Sequence, residues 1–167
     1  NLSPSLRGSL QQDASLIVAE SPFGIYVDDV YIGRPNGNNL ALNDIERVEV
    51  LRGPQGTLYG RNTLQGALKF ISRTPGEDPW FNASFGAGNF DQSMVAASAG
   101  GPLGGDFAGS LSGMFNNKDG EYFNVVTKQD TDHEQNWAVR GKLRYMGIEK
   151  ADVVLSVSYV DSTNDSL

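Results

Sequence analysis

Hydrophobic and polar positions alternate along the whole chain, but with two textures. In the first part the alternation is short and interrupted. "FGIYVDDVYIG" (Phe23 to Gly33) sets Ile25, Val27 and Asp29 on one face and Tyr26, Asp28, Val30 and Ile32 mostly on the other, which predicts a strand with a polar interruption. "RPNGNN" (Arg34 to Asn39) predicts a loop, because proline fixes φ while Asn and Gly accept the left-handed region. "LNDIERVEVLRG" predicts a helical turn capped by Asn43 or Asp44, then a short strand in which Val48 and Val50 alternate with Glu49 and Leu51 until Gly53 and Pro54 break it. "GALKFISRTP" (Gly66 to Pro75) alternates Leu68, Phe70 and Ser72 with Lys69, Ile71 and Arg73, a second clear strand ended by Pro75 and Gly76. These cues place a boundary near Glu77.

Beyond it the alternation is longer and cleaner. Phe81, Ala83, Phe85 and Ala87 form one apolar series, and Val95, Ala97 and Ala99 another. Phe107, Leu111 and Phe115 follow, then Trp137, Val139, Leu143 and Tyr145, then Val153, Leu155, Val157 and Tyr159. The opposite positions are small, hydroxyl or charged, with Arg140, Lys142 and Arg144 as the sharpest set. Such period-two runs predict antiparallel strands with one apolar face. A soluble β-sandwich and a membrane β-barrel both satisfy the pattern, since each needs one apolar and one polar face per strand. The aromatics gather near the run ends, and tight connections ("PLGGD", "GIEKAD") contrast with a long polar one from Asn116 to Gln135, as in a barrel with short turns at one rim and long loops at the other. The two readings stand about level on pattern alone.

Composition narrows this only a little. The 167 residues carry 39% apolar side chains and no cysteine, so there is no disulfide framework and no thiolate metal site. No apolar run approaches the ~20 residues that a membrane helix needs. Up to Glu77 there are seven basic and eight acidic residues, and beyond it six and twelve, without the basic stripe of a nucleic-acid binder. The chain begins at Asn1 without a methionine and stops at Leu167 just after an alternating run, which predicts a fragment.

Candidate chemistry is sparse. Asp28 and Asp29 are adjacent, and on a strand they point to opposite faces, so they cannot share one acid–base site. His133 is the single histidine, and its acidic surroundings match no calcium-loop spacing. Gly53, Gly56 and Gly60 suggest a phosphate loop, but neither Gly-Lys-Ser nor Gly-Lys-Thr follows. Neither a catalytic site, a metal site nor a cofactor is predicted.

"VDDVYIGRP", "DIERVEVLRGPQGTLYGRNTLQGALKFISRTP" and the alternating runs that follow closely resemble TonB-dependent outer-membrane receptors, most specifically from Ile45 to Pro75. Leu64 and Gln65 depart from the family pattern, which often has a small or branched residue followed by glycine, and "LKFISR" replaces the commoner "INIVTK". The resemblance implies an α+β plug, a small mixed sheet with short helices, over residues 1–77, its C-terminal part. Residues 78–167 are then the first antiparallel strands of a large transmembrane β-barrel of about 22 strands. The apolar faces would meet lipid and Arg140, Lys142 and Arg144 the lumen.

It also implies active uptake of a scarce nutrient, a ferric siderophore first and a cobalamin-like or glycan ligand as alternatives, across the bacterial outer membrane. The implied partners are TonB with ExbB and ExbD, the extracellular ligand and outer-membrane lipid, with no nucleic acid. The positions matching apical plug loops are Arg34, Asn36 and Asn38, and Tyr59, Arg61 and Asn62. Glu46, Arg47, Glu49 and Arg52 match residues that make plug-to-barrel ion pairs. Two alternatives stand beside this: a passive or sensory barrel with a plug-like insert, and a soluble β-rich ligand-binding domain.

Overall fold

The computed structural model describes residues 5–6, 9–10, 24–32, 44–60, 63, 65–120, 122–124, 129–131, 133–148 and 151–165. The chain divides into two compact units, Asn1–Arg73 and Thr74–Leu167.

The first unit holds a two-stranded ladder, β1 (Ser5–Leu6) with β2 (Ser9–Leu10), and a four-stranded mixed sheet. That sheet contains β3 (Gly24–Val27), β4 (Val30–Tyr31), β5 (Ile45–Arg52) and β6 (Gly66–Ser72) in the order β4-β3-β6-β5. β6 pairs with β3 in parallel and with β5 antiparallel. A one-turn helix, α1 (Gly56–Tyr59), lies between β5 and β6.

Residues Phe23 to Gly33 do not make one interrupted strand. β3 and β4 form an antiparallel hairpin in which Tyr26 opposes Tyr31 and Val27 opposes Val30. Asp28 and Asp29 are the two turn residues, with φ of 47° and 67°. Positive φ at both centres is the type I′ geometry whose twist suits a two-residue hairpin, and Asp is among the few non-glycine residues that accept it. The paired acids therefore share one turn, and their surroundings are structural. The helical turn expected before β5 is represented among the described residues by Asp44 alone, and Asn43 lies outside them.

The second unit is a five-stranded antiparallel sheet of β7 (Trp80–Ala87), β8 (Ser93–Gly104), β9 (Phe107–Lys118), β12 (His133–Ile148) and β13 (Ala151–Asp165). A small hairpin, β10 (Tyr122–Asn124) with β11 (Gln129–Thr131), is inserted between β9 and β12. The order β13-β12-β9-β8-β7 makes it a meander with β7 and β13 at its open edges.

Which face is covered separates the two readings of the alternation. Ala96, Ser98, Ala108, Ser112, Asn136, Ala138, Arg140 and Lys142 are buried, whereas Phe81, Phe85, Leu111, Leu143, Leu155 and Val157 are exposed. A soluble sandwich buries the apolar face, and a membrane barrel turns it outward. On the covered face, Arg140 Nε donates to Ser158 Oγ at 3.2 Å, and Ser162 donates to Asn136.

Aromatic pairs bound the exposed band. Phe107 and Tyr145 rings lie 4.8 Å apart, and Trp137 and Tyr159 rings 4.9 Å apart. Trp137 and Tyr145 are eight residues apart on β12, a rise of about 27 Å that a tilt near 40° projects to about 21 Å, close to the ~25 Å apolar belt of an outer-membrane barrel. Among the described residues no helix is long and apolar enough to cross a membrane.

Candidate functional site

The segment between β5 and β6 is a closed loop. Gly53 N–H donates to the Gln65 carbonyl at 3.2 Å, and Gln55 N–H to the Thr63 carbonyl at 3.0 Å, so the two strands continue as a narrow neck. Within it α1 makes a single turn, and Gly60 N–H donates to the Gly56 carbonyl at 3.1 Å. Gly53 and Gly60 have φ of 89° and 77° with open space where a Cβ would stand, so glycine is needed there for backbone conformation alone. The fully buried Thr63 fastens the far side, its hydroxyl donating to the Gly60 carbonyl at 2.7 Å. The glycines thus accommodate one helical turn within the loop.

This loop is docked on one row of the sheet. Register places Tyr31, Tyr26, Lys69 and Glu49 side by side across β4, β3, β6 and β5. Paired residues of adjacent strands share a face, so the row is polar and aromatic while Ile25, Leu68 and Val50 line the opposite face. Tyr59 packs onto the row, its ring 5.1 Å from that of Tyr26 and edge-on to it. The buried Tyr26 hydroxyl donates to the Tyr59 carbonyl at 2.6 Å, and Lys69 Nζ lies 5.5 Å from the Tyr59 ring centroid.

Lys69 is the electrostatic hub. Its Nζ is 2.7 Å from Asp29 Oδ1 and 3.8 Å from Glu49 Oε2, and its side chain is only 12% exposed. The hydrogen bond with Asp29 raises the Lys69 pKa above its ordinary value, against the opposing effect of burial. Burial raises that of Tyr26, and the neighbouring Tyr31 and Tyr59 add to it. The row thus fixes the loop while keeping a cation beneath the Tyr59 ring.

Of the residues expected to face a ligand, Tyr59 is half-buried at the end of α1, with its backbone and ring both held. Arg34, Asn36, Asn38, Arg61 and Asn62 lie outside the described residues. Among the expected ion-pairing residues, Arg47 Nε pairs with Glu49 at 2.9 Å and Arg47 Nη1 with Glu46 at 3.3 Å, all within the first unit. Arg52 ends β5 opposite Gly66. Tyr26 and Lys69 were not singled out from the sequence. Their alternation with apolar neighbours marked one strand face, but the parallel pairing that brings them together joins segments 43 residues apart.

Comparison with known proteins agrees with this architecture. Residues 1–67 match the TonB-dependent Receptor Plug Domain family. The pesticin receptor of Yersinia enterocolitica is 33% identical over 108 residues, covering 64% of this chain and 16% of that protein. The ferrioxamine B receptor of Salmonella typhimurium is 33% identical over 104 residues, covering 59% and 15%. Among solved structures, the ferric yersiniabactin uptake receptor FyuA from Yersinia pestis superposes with a TM-score of 0.80 at 25% identity, covering 98% of this chain and 26% of that one. The chain thus spans about one sixth of the curated relatives it matches. Residues 1–67 thus belong to the TonB-dependent Receptor Plug Domain family, and with a lipid-type face on its open sheet the chain shares the fold of a TonB-dependent outer-membrane receptor.

Proposed function

We propose that the receptor carrying this chain takes up a ferric siderophore across the bacterial outer membrane, driven through TonB with ExbB and ExbD. One observation carries the reading: the whole length of the chain follows the fold of a ferric yersiniabactin uptake receptor, at a TM-score of 0.80. The curated relative named for ferrioxamine B, an iron chelate, supports the same substrate class.

In this reading the loop from Gly53 to Gln65 presents Tyr59, Arg61 and Asn62 to the ligand, and Arg34, Asn36 and Asn38 come from the neighbouring loop. The Tyr26 and Lys69 row acts one step back by holding Tyr59. Arg side chains suit anionic, oxygen-rich iron chelates because they donate several directed hydrogen bonds while staying charged. Outer-membrane lipid meets the exposed apolar face of the second unit.

The test uses the complete receptor in cells starved of iron, supplied with radioactive iron in a panel of siderophores. Uptake of at least one ferric siderophore that is abolished by deleting TonB is the expected result. Equal uptake without TonB, or none from any siderophore in the panel, overturns the proposal. Binding of the transported chelate to Arg34→Ala, Tyr59→Ala and Asn62→Ala then tests the site, and unchanged affinity in all three removes it.

A further inference from the structure

The segment from Thr74 to Pro79 does not run straight into β7. Pro75 is fully buried, and its carbonyl accepts a hydrogen bond from Arg144 Nη1 at 3.1 Å. Arg144 lies on β12, which is three strands from β7 in the sheet. Three interstrand spacings amount to about 14 Å, and the five residues from Pro75 to Trp80 reach only about 17 Å at full extension. Part of that gap is spanned by the Arg144 side chain itself, so the segment is a short strap across one end of the sheet.

Both ends of the strap are fitted. At β8 a Cβ on Gly101 would stand 3.0 Å from Pro79 Cα, and one on Gly100 would stand 2.8 Å from the Trp80 indole. Glycine at these two positions lets the strap lie close to the strand. At β12, Arg144 Nε and Nη2 donate to Asp152 Oδ1 and Oδ2 at 2.8 and 2.7 Å. This two-pronged pairing fixes the guanidinium plane and leaves Nη1 aimed at the Pro75 carbonyl. Arg144 also follows Arg140 and Lys142 by strand alternation, so the strap crosses the polar face of the sheet.

We infer that Arg144, oriented by Asp152, clamps the strap, so that the chain is anchored at β12 and not merely at its covalent entry into β7. A pull on residues ahead of Pro75 then meets a bidentate side chain on a central strand before it reaches the edge strand. That mechanical consequence rests on the transport reading, whereas the clamp does not.

Distance measurements between spin labels at Glu77→Cys and Val95→Cys, in the complete receptor in outer-membrane vesicles without ligand, test the clamp directly. The unaltered strap gives one narrow distribution. Arg144→Ala leaves Glu77 three residues from its anchorage at Trp80, a tether that wanders over about 10 Å, so the distribution broadens severalfold, and Asp152→Asn broadens it less. A broad distribution with Arg144 intact, or one that stays narrow in assembled Arg144→Ala receptor, overturns the inference. Assembly is checked by heat-dependent gel mobility. Should Arg144→Ala not assemble, Asp152→Asn decides in its place, and a distribution that stays narrow there overturns the clamp. Because no ligand or TonB takes part, a failure of the uptake experiment leaves this result untouched.

Discussion

Asp28 holds Ser72, 44 residues further along the chain, by two hydrogen bonds: Oδ1 accepts from the Ser72 N–H at 2.8 Å and Oδ2 from its hydroxyl. The same turn donates Asp28 N–H to the Phe70 carbonyl at 3.0 Å. A turn that needs positive φ at two non-glycine residues is thereby stapled to the end of β6, where Ser72 is almost fully buried. Asp28→Ala removes both acceptors and puts a less tolerant residue in the left-handed region, at a cost of about 2–4 kcal/mol to the plug. Hydrogen exchange of the β6 amides in the complete receptor should accelerate accordingly, and unchanged protection there contradicts the staple.

Tyr26→Phe tests the docking of the loop. It deletes the hydrogen bond to the Tyr59 carbonyl and keeps the ring contact, so the expected loss is about 1 kcal/mol. Amides from Gly56 to Gly60 should exchange faster while those of β5 stay protected. The affinity for the transported chelate should fall, but by less than in Tyr59→Ala.

The pH dependence of the plug follows from Lys69 and Tyr26. Both have folded-state pKa values raised above ordinary values of 10.5 and 10.0. The folded state therefore holds these protons more tightly than the unfolded state does. The associated stability is fully present below pH 10 and is lost as pH rises through the folded-state values. Thermal unfolding followed from pH 8 to 11.5 should show this loss, and Lys69→Met together with Tyr26→Phe should flatten the alkaline limb.

The exposed face of the second unit predicts an asymmetric response to charge. Gly141 lies midway between Trp137 and Tyr145 and pairs with Val157, which is 65% exposed. Val157→Arg therefore puts a cation near the middle of the apolar band, at about 2–4 kcal/mol. Ser156→Glu, one residue away, faces the covered side opposite Lys142 and should be tolerated. Refolding of the complete receptor into lipid bilayers, read by urea titration, measures both; equal costs would show that the two faces are not distinguished.

The long strands were legible in the sequence because a period of two survives any register. Trp137, Val139, Leu143 and Tyr145 on one face and Arg140 and Lys142 on the other were readable before any pairing was known. What was hidden depends on residues far apart. Asp28 and Asp29 look like a break within a strand, since the usual Asn-Gly signal of a type I′ turn is absent, and the turn is secured by Ser72 and Lys69. The polar row under Tyr59 was equally unreadable, because it needs the parallel pairing of β3 with β6. The strap is hidden for the same reason: Pro75 and Gly76 read as a strand end, and nothing local points to Arg144.

The open edge of β7 has a consequence for how such a receptor matures. Its outer hydrogen-bonding groups have no neighbour within the sheet, and in a closed barrel their partner is a strand from the opposite end of the wall. The meander from β7 to β13 can zip up from near neighbours, whereas that last seam joins segments separated by most of the chain. High contact order makes such a seam slow to form. Until it forms, β7 keeps an unpaired edge of the kind that pairs with other chains.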